Sequence, residues 1–99
     1  MAKWSDYLIS AVRYYKDSIS QLKVHKDLGD KVGQEQIWSK EEVVSSIKNY
    51  NSFCTIYKNS AGNWTKGEDV HVVTVGYSTY LRTDRNNIAK DNLGNLPVF

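Results

Sequence analysis

Alternating side chains predict β structure in the first part of the chain. The run YLISAVRYY (Tyr7–Tyr15) is rich in β-branched and aromatic residues, and apolar side chains occupy both of its alternating sets. A strand covered on much of both faces shows this pattern, so the run predicts a central strand of a sheet. The following ISQLKVH (residues 19–25) alternates apolar with polar residues, which predicts the second arm of a hairpin with one face in water.

A polar loop and a helix start come next. Residues 26–36 (KDLGDKVGQEQ) are polar and contain two glycines, which predicts a mobile surface loop. Ser39 and Glu42 then have the spacing of a capping box, in which each side chain accepts a hydrogen bond from the backbone N–H of the other. Trp38 and Val43 stand where a hydrophobic staple needs them. The sequence therefore predicts that a helix begins at this point.

The helix pattern is short. Val43, Val44, Ile47 and Tyr50 recur at spacings of three and four residues, which predicts a buried stripe. We expect about three turns that end near residues 49–51. Because an isolated helix of this length is marginally stable in water, the stripe is expected to pack on a sheet.

Further strands are predicted after the helix. FCTIYK (residues 53–58) and NWTK (residues 63–66) flank a short polar loop and predict a second hairpin, which residues 67–69 interrupt. VHVVTV (residues 70–75) has the highest β propensity in the chain and predicts an inner strand. A turn leads from it to TYLRT (residues 79–83), which predicts a later pair of strands.

The last residues combine loop formers with irregularly spaced apolar side chains. Such a segment is expected to be an extended tail, residues 84–99, docked on the rest of the molecule. The whole chain, residues 1–99, is then one α+β domain. We predict a mainly antiparallel sheet of about five or six strands, made of two hairpins plus a later pair, with one helix packed on it.

Several segments, taken in order, resemble a known family. These are LISAVRYY, SKEEVVSSI, VHVVTV, YLRTD and DNLGNLP, and the resemblance covers residues 8–99. The family is the domain of unknown function 3892, which occurs in bacteria, archaea and some of their viruses or mobile elements. The resemblance implies a single α+β domain and a phage or mobile-element context, and it supplies no catalytic residues.

Composition adds limits of its own. The chain has 99 residues, of which 40% are hydrophobic and 24% charged, with seven Tyr and three Trp. This is too apolar and too weakly charged for an intrinsically disordered chain. The formal net charge of +2 neither requires nor excludes a polyanionic partner.

Cysteine usage and the N-terminus bear on location. Cys54 is the single cysteine, so no disulfide can form within the chain, which favours a reducing compartment. MAKWSDYLIS lacks the long apolar core of a signal peptide, and no run of eighteen apolar residues predicts a membrane span. We expect a cytoplasmic protein, in the host cytoplasm if the gene is viral.

An enzyme hypothesis depends on the two histidines, His25 and His71. Both fall on predicted strands and could face the same side of a sheet, but a metal site would also need a carboxylate such as Glu68 or Asp69. Cys54 would act as a nucleophile only with a histidine beside it, and its place on a strand is more typical of a core residue. We predict no catalytic residue, no metal site and no cofactor.

Oxygen-bearing side chains cluster in residues 84–91. A calcium loop of the EF-hand type needs Gly at its sixth position and Glu at its twelfth, and counted from Asp84 this chain has Ala89 and Asn95 there. Asn and Asp also favour turns because they bond to their own backbone. We therefore predict turn formation for the cluster, including Asp91.

Basic and aromatic residues on several predicted strands suggest a binding face. Cations interleaved with aromatic rings can neutralise phosphate and stack on bases. The candidate residues for a partner or a nucleic acid are Lys23, His25, Lys26, Lys58, Trp64, Lys66, His71, Arg82 and Arg85.

These observations favour a small non-enzymatic binding module that engages a host or viral macromolecule through a sheet face or through residues 26–36. One alternative is a nucleic-acid-binding protein that uses the Lys/Arg and aromatic face. Another is a small enzyme that uses His25 and His71. The partner is an unknown protein or a nucleic acid, and we expect no membrane partner. The sequence leaves the oligomeric state open, with a homodimer among the options.

Overall fold

Seven strands and one helix make up the part of the chain that the computed structural model describes, which is residues 3–16, 18–83, 91, 93 and 96–99. In chain order they are β1 (Tyr7–Tyr15), β2 (Ser18–Lys26), β3 (Gln36–Ser39), α1 (Lys40–Lys48), β4 (Phe53–Lys58), β5 (Trp64–Asp69), β6 (His71–Val75) and β7 (Ser78–Arg82).

β1 lies at the centre of a five-stranded sheet with the order β3-β2-β1-β4-β5. It pairs antiparallel with β2 and parallel with β4, because the chain passes through α1 before it returns to the other side of β1. β6 and β7 form a separate antiparallel hairpin. The prediction of a central strand at residues 7–15 and of a mainly antiparallel α+β fold is confirmed.

The helix packs on one face of this sheet and begins with the predicted capping box. Ser39 Oγ accepts from the Glu42 N–H at 3.2 Å, and Glu42 Oε1 accepts from the Ser39 N–H at 3.0 Å. Val43 and Val44 are buried, and Trp38 packs against the same core. The rest of this main core consists of Ile9, Val12, Ile19, Leu22, Val24, Phe53, Val70, Leu81 and Leu93.

A smaller core covers the opposite face of the sheet. Leu8, Cys54 and Ile56 are buried there, and partly buried side chains pack against them, including Trp64 from β5. Both faces of β1 are therefore covered, which explains why its two alternating sets are both apolar.

The edges of the main sheet differ from the sequence prediction. Residues 26–36 were expected to be loop, but Gln36 begins β3, whose Ile37 lies opposite Lys23. Residues 67–69 were expected to interrupt a hairpin, but they continue β5. Gly67 allows this because a Cβ there would collide with the Thr55 hydroxyl, so the strands approach closely only with glycine.

The prediction of an inner strand at residues 70–75 is wrong in its position. The Val70 N–H still donates to the Phe53 carbonyl at 2.9 Å, after which the chain leaves the main sheet. Residues 71–75 then pair with β7 alone, as one arm of a two-stranded hairpin. High β propensity identified the strand but not the sheet to which it belongs.

Tyr50 is the one member of the predicted helical stripe that is exposed, since Val43 and Val44 are buried and Ile47 is partly buried. The helix ends at Lys48, with Asn49 as its C-cap, so the end predicted near residues 49–51 is confirmed. Tyr50 follows with a left-handed backbone (φ 69°) and a side chain that is 96% exposed. The helical period stops before this residue, so its side chain no longer follows the stripe.

The predicted tail, residues 84–99, is described in part. Residues 84–90, 92, 94 and 95 lie outside the described residues. Leu93 is buried in the main core, and Asp91 is buried beside β2 and β7. These two residues contact the folded part of the molecule directly.

Candidate functional site

The face of the main sheet that points away from α1, which we call the helix-free face, carries several of the predicted site residues. His25 and Cys54 both lie opposite Leu8 in the register, so these three side chains point to this face. The same alternation places Lys23 of β2 and Lys58 of β4 there. Two of the predicted cations therefore share one face.

The end of the chain inserts an aromatic ring among these cations. At Val12, β1 pairs with β2 on one side and with residues 97–99 on the other. The Val12 N–H donates to the Pro97 carbonyl at 2.9 Å, and the Phe99 N–H donates to the Val12 carbonyl at 3.0 Å. β4 pairs with the same edge of β1 nearer the start of the strand, at residues 7–9. Residues 97–99 therefore continue the sheet along this edge, past the end of the pairing with β4.

Cations and aromatic rings are in direct contact on this face. The Phe99 ring has the Arg13 guanidinium carbon 4.6 Å and the Lys23 Nζ 4.9 Å from its centroid. Arg13 Nε also donates to the Phe99 carbonyl at 3.0 Å. Lys58 Nζ lies 5.1 Å from the Trp64 centroid. In strand order these residues form what we call the cation–aromatic strip: Lys23, Arg13, Phe99, Lys58 and Trp64.

Acidic neighbours of this face hold its cations only weakly. Lys23 is 3.4 Å from Glu35, whose side chain is 50% exposed. Lys66, which lies opposite Ile56 at the β5 edge, is 3.5 Å from Asp69. Exposed ion pairs of this kind contribute at most about 1 kcal/mol, so a phosphate can replace the carboxylate at little cost.

His25 supports the strip from beneath and is not exposed to water, contrary to the prediction of a wet face. Its side chain is buried and lies 5.8 Å from the Trp64 ring. Nδ1 donates to the Gly33 carbonyl at 3.0 Å, and Nε2 is hydrogen-bonded to the Ser10 hydroxyl at 2.7 Å. Both ring nitrogens are thus engaged within the protein.

The remaining predicted residues lie elsewhere. His71 belongs to the β6–β7 hairpin, opposite Arg82, and is therefore in a different sheet from His25. Arg82 is buried and is engaged by a neighbouring group. Lys26 is exposed at the end of β2. Arg85 lies outside the described residues.

Cys54 has the properties of a core thiol. It is fully buried in the smaller core. Burial raises the pKa of this thiol above its ordinary value, because the thiolate would lose its hydration. The side chain is therefore a weak nucleophile in the folded protein.

Two strip residues were missed by sequence reasoning. Arg13 was counted only as part of the central strand, and Phe99 only as an apolar tail residue. They are 86 positions apart, and only the pairing of the tail with β1 brings them together. No local sequence signal marks that pairing.

The described residues contain neither a metal-binding cluster nor a membrane-spanning helix. Among the described residues, no cluster of three or more His, Cys, Asp or Glu side chains is arranged to hold a metal ion. Within the same residues, no helix has the length and apolarity needed to cross a membrane.

Comparisons with known proteins identify a family but no activity. The family model described as "Protein of unknown function (DUF3892)" matches residues 8–97. This confirms the resemblance seen in the sequence. No curated protein and no solved structure matches the chain.

Proposed function

Since the chain belongs to the DUF3892 family of proteins of unknown function, we propose from its own geometry that it is a non-enzymatic module that binds single-stranded nucleic acid. The cation–aromatic strip carries this proposal. It places three cations against two rings on one face of a sheet. A surface of this composition can neutralise phosphates and stack on bases at the same time.

A single strand fits this surface better than a duplex does. In a duplex the bases are stacked on each other and present only their edges, so the Trp64 and Phe99 rings would have no base face to contact. A single strand can turn its bases toward the rings while its phosphates contact the adjoining cations. The proposed ligand is therefore single-stranded DNA or RNA.

The strip is held in place before any ligand binds. His25 lies under Trp64, and its own two hydrogen bonds fix the imidazole. Backbone hydrogen bonds to Val12 fix the segment that carries Phe99. Ordered contact residues lose less conformational entropy on binding, which favours affinity.

The same geometry supports a role without catalysis. The His25 nitrogens are occupied by Ser10 and Gly33, so the ring cannot exchange protons with a substrate without breaking these bonds. Cys54 is buried and has a raised pKa. These two side chains are thus used to build the fold.

Fluorescence anisotropy of labelled oligonucleotides tests the proposal. The protein is titrated into single-stranded and double-stranded DNA and RNA at low and at physiological salt. We expect single strands to bind more tightly than duplexes, with affinity that falls as salt increases. Lys58→Ala should reduce the slope of log K against log salt by about 0.7, the value for one phosphate contact of a single strand.

Lys48→Ala is the matched control, because it removes the same charge from α1 on the opposite side of the sheet. It should leave binding unchanged. If no single strand binds at low salt, or if both variants weaken binding equally, the strip is not a nucleic-acid site. A protein partner would then be the ligand to seek.

A further inference from the structure

A groove on the helix side of the molecule is separate from the cation–aromatic strip. It lies between α1 and β7 and has a volume of about 630 Å³. Val44 and Tyr80 contribute apolar surface, and the charged lining residues are Lys40, which pairs with Asp91, Glu41 and Lys48. The volume is within the range of sites that hold a bound ligand or part of a peptide.

The groove is bordered by the edge of β7 and not by one of its faces. Ser78, Thr79 and Tyr80 all line it, although consecutive side chains of a strand point to opposite faces. Three consecutive residues can border one space only where the strand edge itself faces that space.

The register shows which backbone groups face this edge. The Leu81 N–H donates to Asp91 Oδ1 at 2.8 Å and therefore points away from β6. Antiparallel pairs alternate in orientation, so Thr79, two residues earlier and opposite Thr74, also directs its N–H and carbonyl outward. At Thr79, β7 thus presents an edge with which no other strand of the described residues pairs, and such an edge can accept another strand.

Asp91 shows that this edge of β7 binds a carboxylate. Its carboxylate takes the Leu81 N–H and also lies 3.0 Å from Lys40 Nζ, which belongs to the groove lining. Lys48, about two helical turns further along the same face of α1, makes no ion pair with any described residue. A carboxylate on a bound molecule could therefore pair with Lys48 as Asp91 pairs with Lys40.

We infer that this groove binds an extended peptide with an acidic residue, which adds to the edge of β7 at Thr79 as a third strand beside α1. Backbone hydrogen bonds to Thr79 hold the peptide main chain, and Lys48 binds its carboxylate. Strand addition of this kind takes affinity from the main chain and specificity from the flanking side chains. This binding surface does not depend on the proposed nucleic-acid site.

The test uses random linear peptides displayed on phage and selected on the immobilised full chain. We expect the selected peptides to contain Asp or Glu within a run of β-formers. A labelled selected peptide should perturb the backbone amide NMR signals of residues 78–80 and 45–48. Thr79→Pro, which removes the outward N–H, should lower the affinity for that peptide about tenfold.

Thr74→Pro is the matched control, because it removes the equivalent N–H from the opposite edge of the same hairpin. It should leave peptide binding unchanged. Ser45→Trp, at an exposed position in the groove wall, provides a second variant that fills the groove without altering β7. Selection of no peptide, or equal binding by Thr79→Pro and Thr74→Pro with no effect of Ser45→Trp, would overturn the inference.

Discussion

At the scale of single residues, the Asp91 carboxylate joins parts of the fold that are far apart in sequence. It accepts the Ile19 N–H at 2.9 Å and the Leu81 N–H at 2.8 Å, and it lies 3.0 Å from Lys40 Nζ. The carboxylate is fully buried. One side chain therefore ties the start of β2, the start of α1 and β7 together, where the sequence predicted only a turn former.

We expect Asp91→Ala to lower the free energy of unfolding by about 3 kcal/mol, since it leaves a partly buried cation and two buried N–H groups without their acceptor. Urea denaturation followed by Trp fluorescence measures the change. Asp69→Ala is the matched control, because it removes an exposed partner of Lys66 and should cost less than about 1 kcal/mol. Equal losses in the two variants would show that Asp91 is not a structural link.

The raised pKa of the Cys54 thiol predicts that the protein loses stability at alkaline pH. Burial raises the pKa of its thiol in the folded state, so the folded protein holds this proton more tightly than the unfolded chain does. The resulting stability is present below the ordinary pKa of a thiol and is lost as the pH rises through the raised pKa. The thiol should also react slowly with a disulfide reagent until the protein unfolds.

Cys54→Ala provides the comparison, because it removes the titrating group. The difference in unfolding free energy between wild type and variant should shrink as the pH rises above the ordinary thiol range. A difference that stays constant with pH would contradict the assigned environment. Tyr14, whose pKa is raised by burial and by Asp91, titrates in both proteins and therefore cancels in the comparison.

At the scale of elements, the helix and the hairpin of β4 and β5 were predictable, but β3 and the last residues of β5 were not. The capping box is a local signal, because Ser39 and Glu42 satisfy each other within one turn. β3 and β5 depend on distant partners: Ile37 needs Lys23 across the sheet, and Gly67 needs the close approach of Thr55. A local sequence pattern contains neither partner, so β3 and residues 67–69 of β5 look like loops.

We expect Ser39→Ala to destabilise the protein by about 1 kcal/mol through loss of the N-cap hydrogen bond. Thermal unfolding followed by circular dichroism measures the effect. Ser45→Ala, at an exposed position inside α1, is the control and should be neutral or slightly stabilising, because Ala is the better helix former. A loss as large for Ser45→Ala would mean that the cap is not what stabilises this end of the helix.

At the scale of the whole molecule, the candidate site forms only when the chain is folded. Hairpin pairing places Lys58 opposite Trp64, and alternation places Lys23 on the same face, so these residues could be anticipated. Arg82 could not be assigned correctly, because its strand pairs in the separate hairpin and buries it. Arg13 joins the site only through the tail.

The role of Phe99 in the strip gives the last prediction. Its ring keeps Arg13 and Lys23 beside each other, and two partly exposed cation–π contacts together contribute about 1 to 2 kcal/mol. Phe99→Ala should therefore lower stability by about that amount. It should also weaken oligonucleotide binding, because the two cations lose their ordered positions and one stacking ring is gone.

Val98→Ala is the control for this substitution. Val98 is 67% exposed and keeps its backbone bridge to Val12 whatever its side chain, so stability and binding should both stay near wild type. Oligonucleotide anisotropy and thermal unfolding of the two variants are compared side by side. If Phe99→Ala instead strengthens oligonucleotide binding, the result would mean that the Phe99 ring takes the position on Arg13 and Lys23 that a base would otherwise occupy. Residues 97–99 would then compete with the ligand for the strip, and Phe99 would no longer count as part of it.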